Sequence, residues 1–375
     1  MQIHFFKLAS YFIVLVSGFM LFAQRSAQDI KRLMTHFEAS PSTTSTGGKK
    51  FENVFIERQR ISLHESHQYA IGSISDAEVS NAGKIYLADP QNHCVAVYSP
   101  VGQLIQQIGR QGMGPGEFQL PLCLELYGKT IFVSDIRTSR VSLFAETGKF
   151  LNSFVTSAEH YVPDEIKINS KGNIYLNGPA FDAPQNPKAY QLHKYNTKFD
   201  YEKSFHPFNR KIVELNLWSE RGITLDVDDL DNLYIAEPIE YKISKYNESG
   251  ELLASFTRNA KFYIPPSRLP DIREKNEEKA AATLRAWFPT WTHLIRLVCY
   301  KGLVFVQFRV HQPKQYLIEI FDYAGNYVMG EILTDCLLLC SGKDGFLYFL
   351  TSVPSETVDD YSIGQFTTKL NIARE

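Results

Sequence analysis

Five cysteines, Cys94, Cys123, Cys299, Cys336 and Cys340, form neither an even set nor a regular spacing, so disulfides do not organise this chain. Cys336 and Cys340, four apart on a strand-like run, would stand about 13 Å from each other, beyond the reach of a bridge. The thiols read as buried apolar groups. Net charge is equally scarce. Lys and Arg number 39 against 41 Asp and Glu, which leaves −2 and no reason to expect nucleic acid or an anionic membrane surface as partner. Neither G-x-S-x-G nor H-E-x-x-H occurs, which removes the commonest serine-hydrolase and zinc-protease signatures.

The charge-free stretch LASYFIVLVSGFMLFA (8–23) follows Lys7 and precedes polar QRSAQD. Its length falls between a signal-peptide core and the roughly 20 residues of a membrane span. Residues 1–23 read as a signal peptide cleaved after Ala23, with a retained anchor as the alternative, and 24–52 as a polar linker. The first cysteine lies at position 94, so a lipoprotein is not expected. The mature protein is placed outside the cytoplasm, periplasmic, surface-held or secreted.

What the sequence has in quantity is short β-branched and aromatic runs behind tight polar turns. Six recur: NAGKIYLAD (81–89), YGKTIFVSD (127–135), SKGNIYLNG (170–178), DLDNLYIAE (229–237), YKGLVFVQF (300–308) and GKDGFLYFL (342–350). Each has a strand before its turn. In the first five a second turn leads to an outer strand, as in SPVGQLIQQIG or NESGELLASF. Asn, Asp, Gly and Lys in such connections are hairpin chemistry, so each unit is a four-stranded antiparallel meander. Sheets of this size must stack on neighbours, and radial stacking protects nearly all edges. The expected fold is all-β, a six-bladed β-propeller over 53–375. The sixth unit supplies only three strands, CLLLCS (336–341), FLYFLT (346–351) and QFTTKLNI (365–372). NVFIERQRISL (53–63) is left over before the first unit, so an N-terminal strand is expected to close the last blade.

The run 89–154 carries a resemblance. Asp89, Asn92, His93, Gly114, Gly116, Phe118 and Pro121 match the pattern of NHL-repeat propellers, with Cys94 where that family often has Arg. Units three to six keep only the strand rhythm. With its leader, the whole chain also resembles the secreted six-bladed propeller proteins of Bacteroidetes, which implies a fold and little about biochemistry. IGRQGMGPGEF (108–118) is then the crossover from blade one to blade two. A phosphate loop would need a following helix, and QLPLCLEL reads as a strand.

Connection lengths point to one face. First-to-second and third-to-fourth turns are all short, whereas 110–118, 177–190, 258–291, 309–315 and 351–365 are long and open on the opposite side, where binding and catalysis concentrate. The insertion 258–291, between blades four and five, contains PDIREKNEEKAAATLRAWF (270–288), predicted as a helix of about four turns between Pro270 and Pro289. It either covers the channel mouth or packs on the rim between those blades, with Leu284, Trp287 and Phe288 as core.

No metal site is predicted. His64 and His67 of HESH would point to opposite faces of a strand, and DVDDLDN (226–232) lacks the sixth-position Gly and the distant Glu of a calcium loop. His93 reads as a structural hydrogen bonder. Strand order brings Glu165, Arg221, His293 and Asp335 to the starts of innermost strands, and Arg137, Glu237 and Arg309 just past second-strand ends. These seven are the candidate ligand-binding residues at the channel mouth; rim salt bridges are the alternative reading. Catalytic residues are not identified. Mixed Arg and carboxylate with one His suits a polar or anionic ligand better than Zn²⁺. Two functions follow: a monomeric, cofactor-free binding propeller whose long-loop face takes a glycan, peptide or protein, or a hydrolase or lyase with a divalent metal in the central channel. The second is what the architecture of six-bladed lactonases and amidating lyases implies.

Overall fold

The computed structural model of the chain describes residues 49–66, 69–156, 163–178, 186, 188–217, 222–271, 277–310, 315–353 and 361–370. The expected leader, His67 and Arg221 lie outside them. Among the described residues no helix is long and apolar enough to cross a membrane.

Two strands, β1 (Lys49–Lys50) and β2 (Phe55–Leu63), precede the repeats. Blade one is β3 (Asp76–Val79), β4 (Ile85–Asp89), β5 (Cys94–Tyr98) and β6 (Leu104–Ile108). Blade two is β7 (Pro121–Tyr127), β8 (Thr130–Asp135), β9 (Arg140–Ala145) and β10 (Phe150–Val155). Blade three is β11 (Glu165–Ile168), β12 (Ile174–Asn177), β13 (Tyr190–Tyr195) and β14 (Tyr201–Pro207), followed by a single-turn helix α1 (Lys211–Glu214). Blade four is β15 (Thr224–Val227), β16 (Leu233–Ala236), β17 (Ile243–Tyr246) and β18 (Leu252–Phe256), followed by α2 (Glu277–Trp287). Blade five is β19 (His293–Tyr300), β20 (Leu303–Arg309), β21 (Tyr316–Asp322) and β22 (Tyr327–Thr334). Blade six is β23 (Leu337–Ser341), β24 (Leu347–Ser352) and β25 (Tyr361–Thr368), with β2 as its outer strand.

Within each blade consecutive strands pair antiparallel, and β2 runs antiparallel to β25 from Phe55 opposite Thr368 to Leu63 opposite Tyr361. The innermost strands β3, β7, β11, β15, β19 and β23 each contact the next around the ring, β23 returning to β3. The protein is a six-bladed β-propeller. The last blade's third strand starts four residues earlier than the polar composition of 351–365 suggested, because Ile363 is buried and pairs with both Ile61 and Leu350. Lys49 and Lys50, placed by composition in the linker, add a short parallel strand to the outer edge of blade five. Phe51 behind them stacks on Phe55 with centroids 4.5 Å apart, which carries the chain from blade five to blade six.

The cores lie between blades, since each sheet buries both faces on its neighbours. Ile61, Leu63, Ile85, Leu87 and Ile363 seal blade six against blade one. Val54, Phe55, Phe305, Ile320 and Phe349 seal five against six. The residues of the NHL-like pattern support the same frame. Asp89 is fully buried and accepts from Tyr69 Oη, Gly72 N, Ser73 N, Asn92 N and Asn92 Nδ2, so one carboxylate ties the entry to blade one to its β4–β5 turn. Asp135 repeats the arrangement in blade two, accepting from Gln119, Leu120, Arg137 and Thr138 N–H groups. His93 sits at φ 54° with Nδ1 2.8 Å from Gln119 O, in the structural role expected of it. In the crossover, Gly109 has φ 84° and lies so close to the Phe118 ring that a Cβ would collide with it. Phe118 itself is buried against Phe144.

All five cysteines are free, four of them buried and Cys336 half-buried. The β3–β4 and β5–β6 classes of turn are short in every blade where they occur. The long connections, 109–120, 178–189, 208–223 and 257–292 among them, open on the other face.

Candidate functional site

The central channel is lined by charge that comes from alternate positions of otherwise apolar inner strands. Nearest the long-loop face, blades one, three and five contribute Asp76, Glu165 and Arg296, with Arg296 Nη1 3.3 Å from Asp76 Oδ1. One step deeper stand Glu78, Glu125, Lys167 and Asp226, from blades one to four. Lys167 Nζ lies 2.7 Å from Glu78 Oε1 and 3.1 Å from Glu125 Oε2. Lys343, on the β23–β24 turn, reaches Glu125 Oε1 at 2.9 Å.

These groups also satisfy the backbone. The free edge of an innermost strand presents unpaired N–H groups to the channel. Asp76 accepts from Leu124 N of the next blade, Thr224 from Leu297 N and Asp226 from Cys299 N at 2.8 Å. The channel charges therefore act as clasps between neighbouring blades.

Among the described residues five carboxylates face three cations in this space, an imbalance that favours protonation of some of them. Burial pushes Glu165 up to about 8, only partly offset by Arg296. Burial and the neighbouring Glu125 push Glu78 up to about 8 as well. For Glu125 burial also acts upward, but Lys167 and Lys343 outweigh it and hold the carboxyl below the usual range. The Glu78–Glu125 pair thus keeps one proton, on the Glu78 side. Burial likewise raises the Cys123, Cys299 and Cys340 thiols well above their ordinary value, leaving them un-ionised.

Among these side chains lies a cavity of about 20 Å³ bounded by Glu78, Glu165, Lys167, Asp226, Arg296 and Cys340. That is room for about one water molecule. Glu165 lies deep in the protein yet keeps part of its side chain against this space. Among the described residues no three His, Cys, Asp or Glu side chains are grouped so as to hold a metal ion.

Of the seven residues singled out by sequence, the structure brings two together. Arg309 Nη2 donates to His293 Nδ1 at 2.8 Å, across the β19–β20 pair. Burial and the Arg309 charge lower His293 to about 3, so it is a neutral acceptor. Trp291 stacks on the His293 ring at 4.5 Å, and the Arg309 guanidinium lies over Phe288 at 5.4 Å. Glu237 is elsewhere. It is buried at the seam of blades three and four, accepting from Asn209 Nδ2 with His206 Nε2 3.5 Å away. Burial pushes its carboxyl up, and His206 and Asn209 bring it below the ordinary value. Arg137 and Asp335 are exposed on the long-loop face, and Arg221 lies outside the described residues. Of the six described candidates, Glu165 alone lines the small channel cavity. Among the described residues convergence at one mouth is not found: the innermost strands meet at the axis, as Asp76 and Arg296 of blades one and five do, but Arg137, Glu237 and Arg309 belong to the ends of second strands, farther out. The other channel residues, Asp76, Glu78, Glu125, Lys167, Asp226 and Arg296, were missed. Their signal was one or two charged residues in five of the six otherwise apolar inner runs, DAEV, LELY, EIKI, TLDV and IRLV.

On the long-loop face the connections fold into a layer of their own. Trp287 of α2 is buried with Phe208, Ile212, Leu217, Ile239 and Trp291, and Leu269 N bonds Leu215 O at 2.9 Å. The helix therefore packs, as one of the two expectations had it, but its seat extends over blade three. Exposed apolar side chains dot this layer: Met113, Val213, Ile264 and Val353, each in a different long connection.

Residues 42–122 match the family DUF5128, described as 6-bladed beta-propeller. Among solved structures the chain is similar to a member of the DUF4221 family from Bacteroides vulgatus, with TM-score 0.59 and 10% identity over 84% of this chain and 99% of that one. It is also similar to a candidate exported protein of Bacteroides fragilis, with TM-score 0.55 and 12% identity over 86% and 97%. A streptogramin B lyase superposes more loosely, with TM-score 0.49 and 10% identity over 84% and 98%. No curated protein sequence matches. At these identities the likeness is one of fold.

Proposed function

We propose that this protein is an extracytoplasmic binding propeller whose long-loop face engages a polypeptide partner. The observation that carries the reading is the contrast between the two regions a propeller can use. The described charged residues of the channel pair with one another around a water-sized cavity, whereas the long connections carry a packed cluster of their own and four exposed aliphatic side chains. Aliphatic contacts scattered among charges suit a protein or peptide surface. The extracytoplasmic placement rests on Lys7 and the charge-free run that follows it, and a fold neighbour described as a candidate exported protein agrees with it.

A photocrosslinking amino acid placed at Met113 or Ile264, with Leu252 on the outer strand of blade four as control, tests the reading in the producing cells. Discrete protein adducts are expected from the first two positions and not from Leu252. Equal capture at all three, or adducts at Leu252 alone, contradicts it.

A further inference from the structure

At its other end the channel opens into a hollow of about 450 Å³ between the β3–β4, β7–β8, β11–β12 and β15–β16 turns, with Lys343 at its inner edge. That volume is in the range of small-molecule sites. Donors and acceptors occupy different parts of its wall. Lys343 of blade six, Lys84 of blade one, Lys129 of blade two and Asn169 of blade three follow one another around the ring, whereas Asp228, Asp229 and Asp231 all belong to blade four. The aspartates are engaged. Asp228 is buried, its Oδ1 accepting from Leu230 N and Asn232 N and its Oδ2 from Asn232 Nδ2. Asp231 accepts from Ser170 N and Oγ at 2.8 and 2.7 Å, and Asp229 has a partner as well. On the donor side Lys343 is held by Glu125, but among the described residues the ammonium groups of Lys84 and Lys129 have no ion pair or hydrogen bond.

Asn169 adds a further unused donor, fixed in direction. It holds in the β11–β12 turn the place that Asp228 holds in the β15–β16 turn. Its Oδ1 accepts from Lys171 N at 3.2 Å and Asn173 N at 2.9 Å, as Asp228 Oδ1 does from Leu230 N and Asn232 N. Two backbone donors identify that atom as the oxygen, so the other is the amide nitrogen. In blade four the second atom is met by the Asn232 side chain. In blade three Asn169 is 1% exposed and its Nδ2 has no partner among the described residues. A buried donor left unpaired is costly, so this wall of the hollow lacks an acceptor. Beside it the lining is apolar, with Leu126, Ile168 and Val227.

We infer that this hollow binds a small monocarboxylate with a short apolar body, its oxygens toward Lys84, Lys129 and Asn169 Nδ2 and its body on the Leu126–Ile168–Val227 surface. Ammonium groups attract an anion as point charges, and an N–H donor adds a charge-assisted bond to its oxygens. The ligand's charge is limited from the other side. Glu146, whose N bonds Lys129 O at 3.2 Å, and the blade-four aspartates put negative charge on the same hollow, and a second negative charge on the ligand would double the repulsion from them. This site is on the opposite face from the polypeptide surface proposed above and stands or falls separately.

Isothermal titration of the full chain with hexanoate, hexanamide and hexyl phosphate tests the assignment. Hexanoate is expected to bind about ten-fold more tightly than hexanamide, and more tightly than hexyl phosphate, with an affinity that falls as salt is added. Lys84→Gln with Lys129→Gln should weaken it by a similar factor. Asn169→Asp keeps an oxygen for the turn's backbone donors, as Asp228 does in blade four, and puts an acceptor where the free donor was. It should weaken hexanoate binding by about the same factor with the melting temperature unchanged, which loss of a merely structural amide would not do. Should Asn169→Asp prove unstable, the lysine pair, half-buried and exposed, decides alone. No heat of binding at millimolar hexanoate, equal affinity for hexanoate and hexanamide, a preference for hexyl phosphate, or hexanoate binding that survives the substitutions overturns it.

Discussion

Replacing Lys167 with methionine is expected to remove about 3–5 kcal/mol of folding stability, the usual cost of breaking a buried ion pair by taking away one partner. The native ammonium lies between Glu78 and Glu125, which are 2% and 1% exposed. Methionine fills the same volume and leaves Glu125 with Lys343 alone and Glu78 with no bonded cation. Against a typical total of about 5–15 kcal/mol, the loss would be plain in a urea unfolding curve. The companion substitution Glu125→Gln should restore more than half of it, since neutral groups in place of the whole set cost little. A single-variant loss below about 1 kcal/mol, or a double variant weaker than the single one, would show that these charges do not clasp the blades.

The second large effect is a pH dependence. Glu165 is raised from an ordinary 4.5 to about 8, chiefly by burial, so the folded protein holds a proton there that the unfolded chain gives up. The stabilisation is complete below about 4.5 and is lost as the pH rises toward 8. Glu78 acts in the same direction. Glu125 and Glu237, lowered on folding, contribute above about 4.5 and lose their stabilisation as the pH falls below it. His293, lowered to about 3, and His193, lowered to about 4, both chiefly by burial, act the other way and lose stabilisation as the pH falls below about 6.5. Stability should therefore be highest between about pH 5 and 6.5 and fall above it. Glu165→Gln mimics the protonated carboxyl; it should leave stability at pH 5 almost unchanged and raise it at pH 9, on the order of a few kcal/mol. Denaturant unfolding at the two pH values checks this, and a variant equally destabilised at both would contradict it.

The blades were legible because a hairpin is a local object. NAGK, SKGN and DLDN announce turns within the same ten residues as the strands they join, and the alternation of Ile, Tyr and Leu after them gives the sheet. The class of connection carrying the long loops was legible for the same reason, since it requires only counting strands. Glu78, Glu125 and Lys167 were in view as charges in otherwise apolar runs, yet their meaning is not local. They lie in three different blades, and only closure of the ring makes one ammonium the partner of two carboxylates. Glu237 misled in the opposite way. Its position past β16 is right for a channel mouth, but the connection before blade four folds over it and supplies Asn209, while His206 at φ 60° comes from the end of β14. The buried layer around Trp287 was read only as alternatives because helix composition sets a helix's length and not its seat.

If the axis is closed around the water-sized cavity, recognition belongs to the two faces, and the native cysteines report on this directly. Cys340 lines the water-sized cavity and Cys123 lies beside Glu165 with its Sγ 2.9 Å from Ser134 Oγ. Treatment of the folded chain with a small maleimide, followed by mass mapping, should find only Cys336 modified, and slowly, because burial pushes its thiol up to about 11. Modification of Cys340 or Cys123 in the folded protein at the rate seen in urea would mean an open channel and would contradict the account.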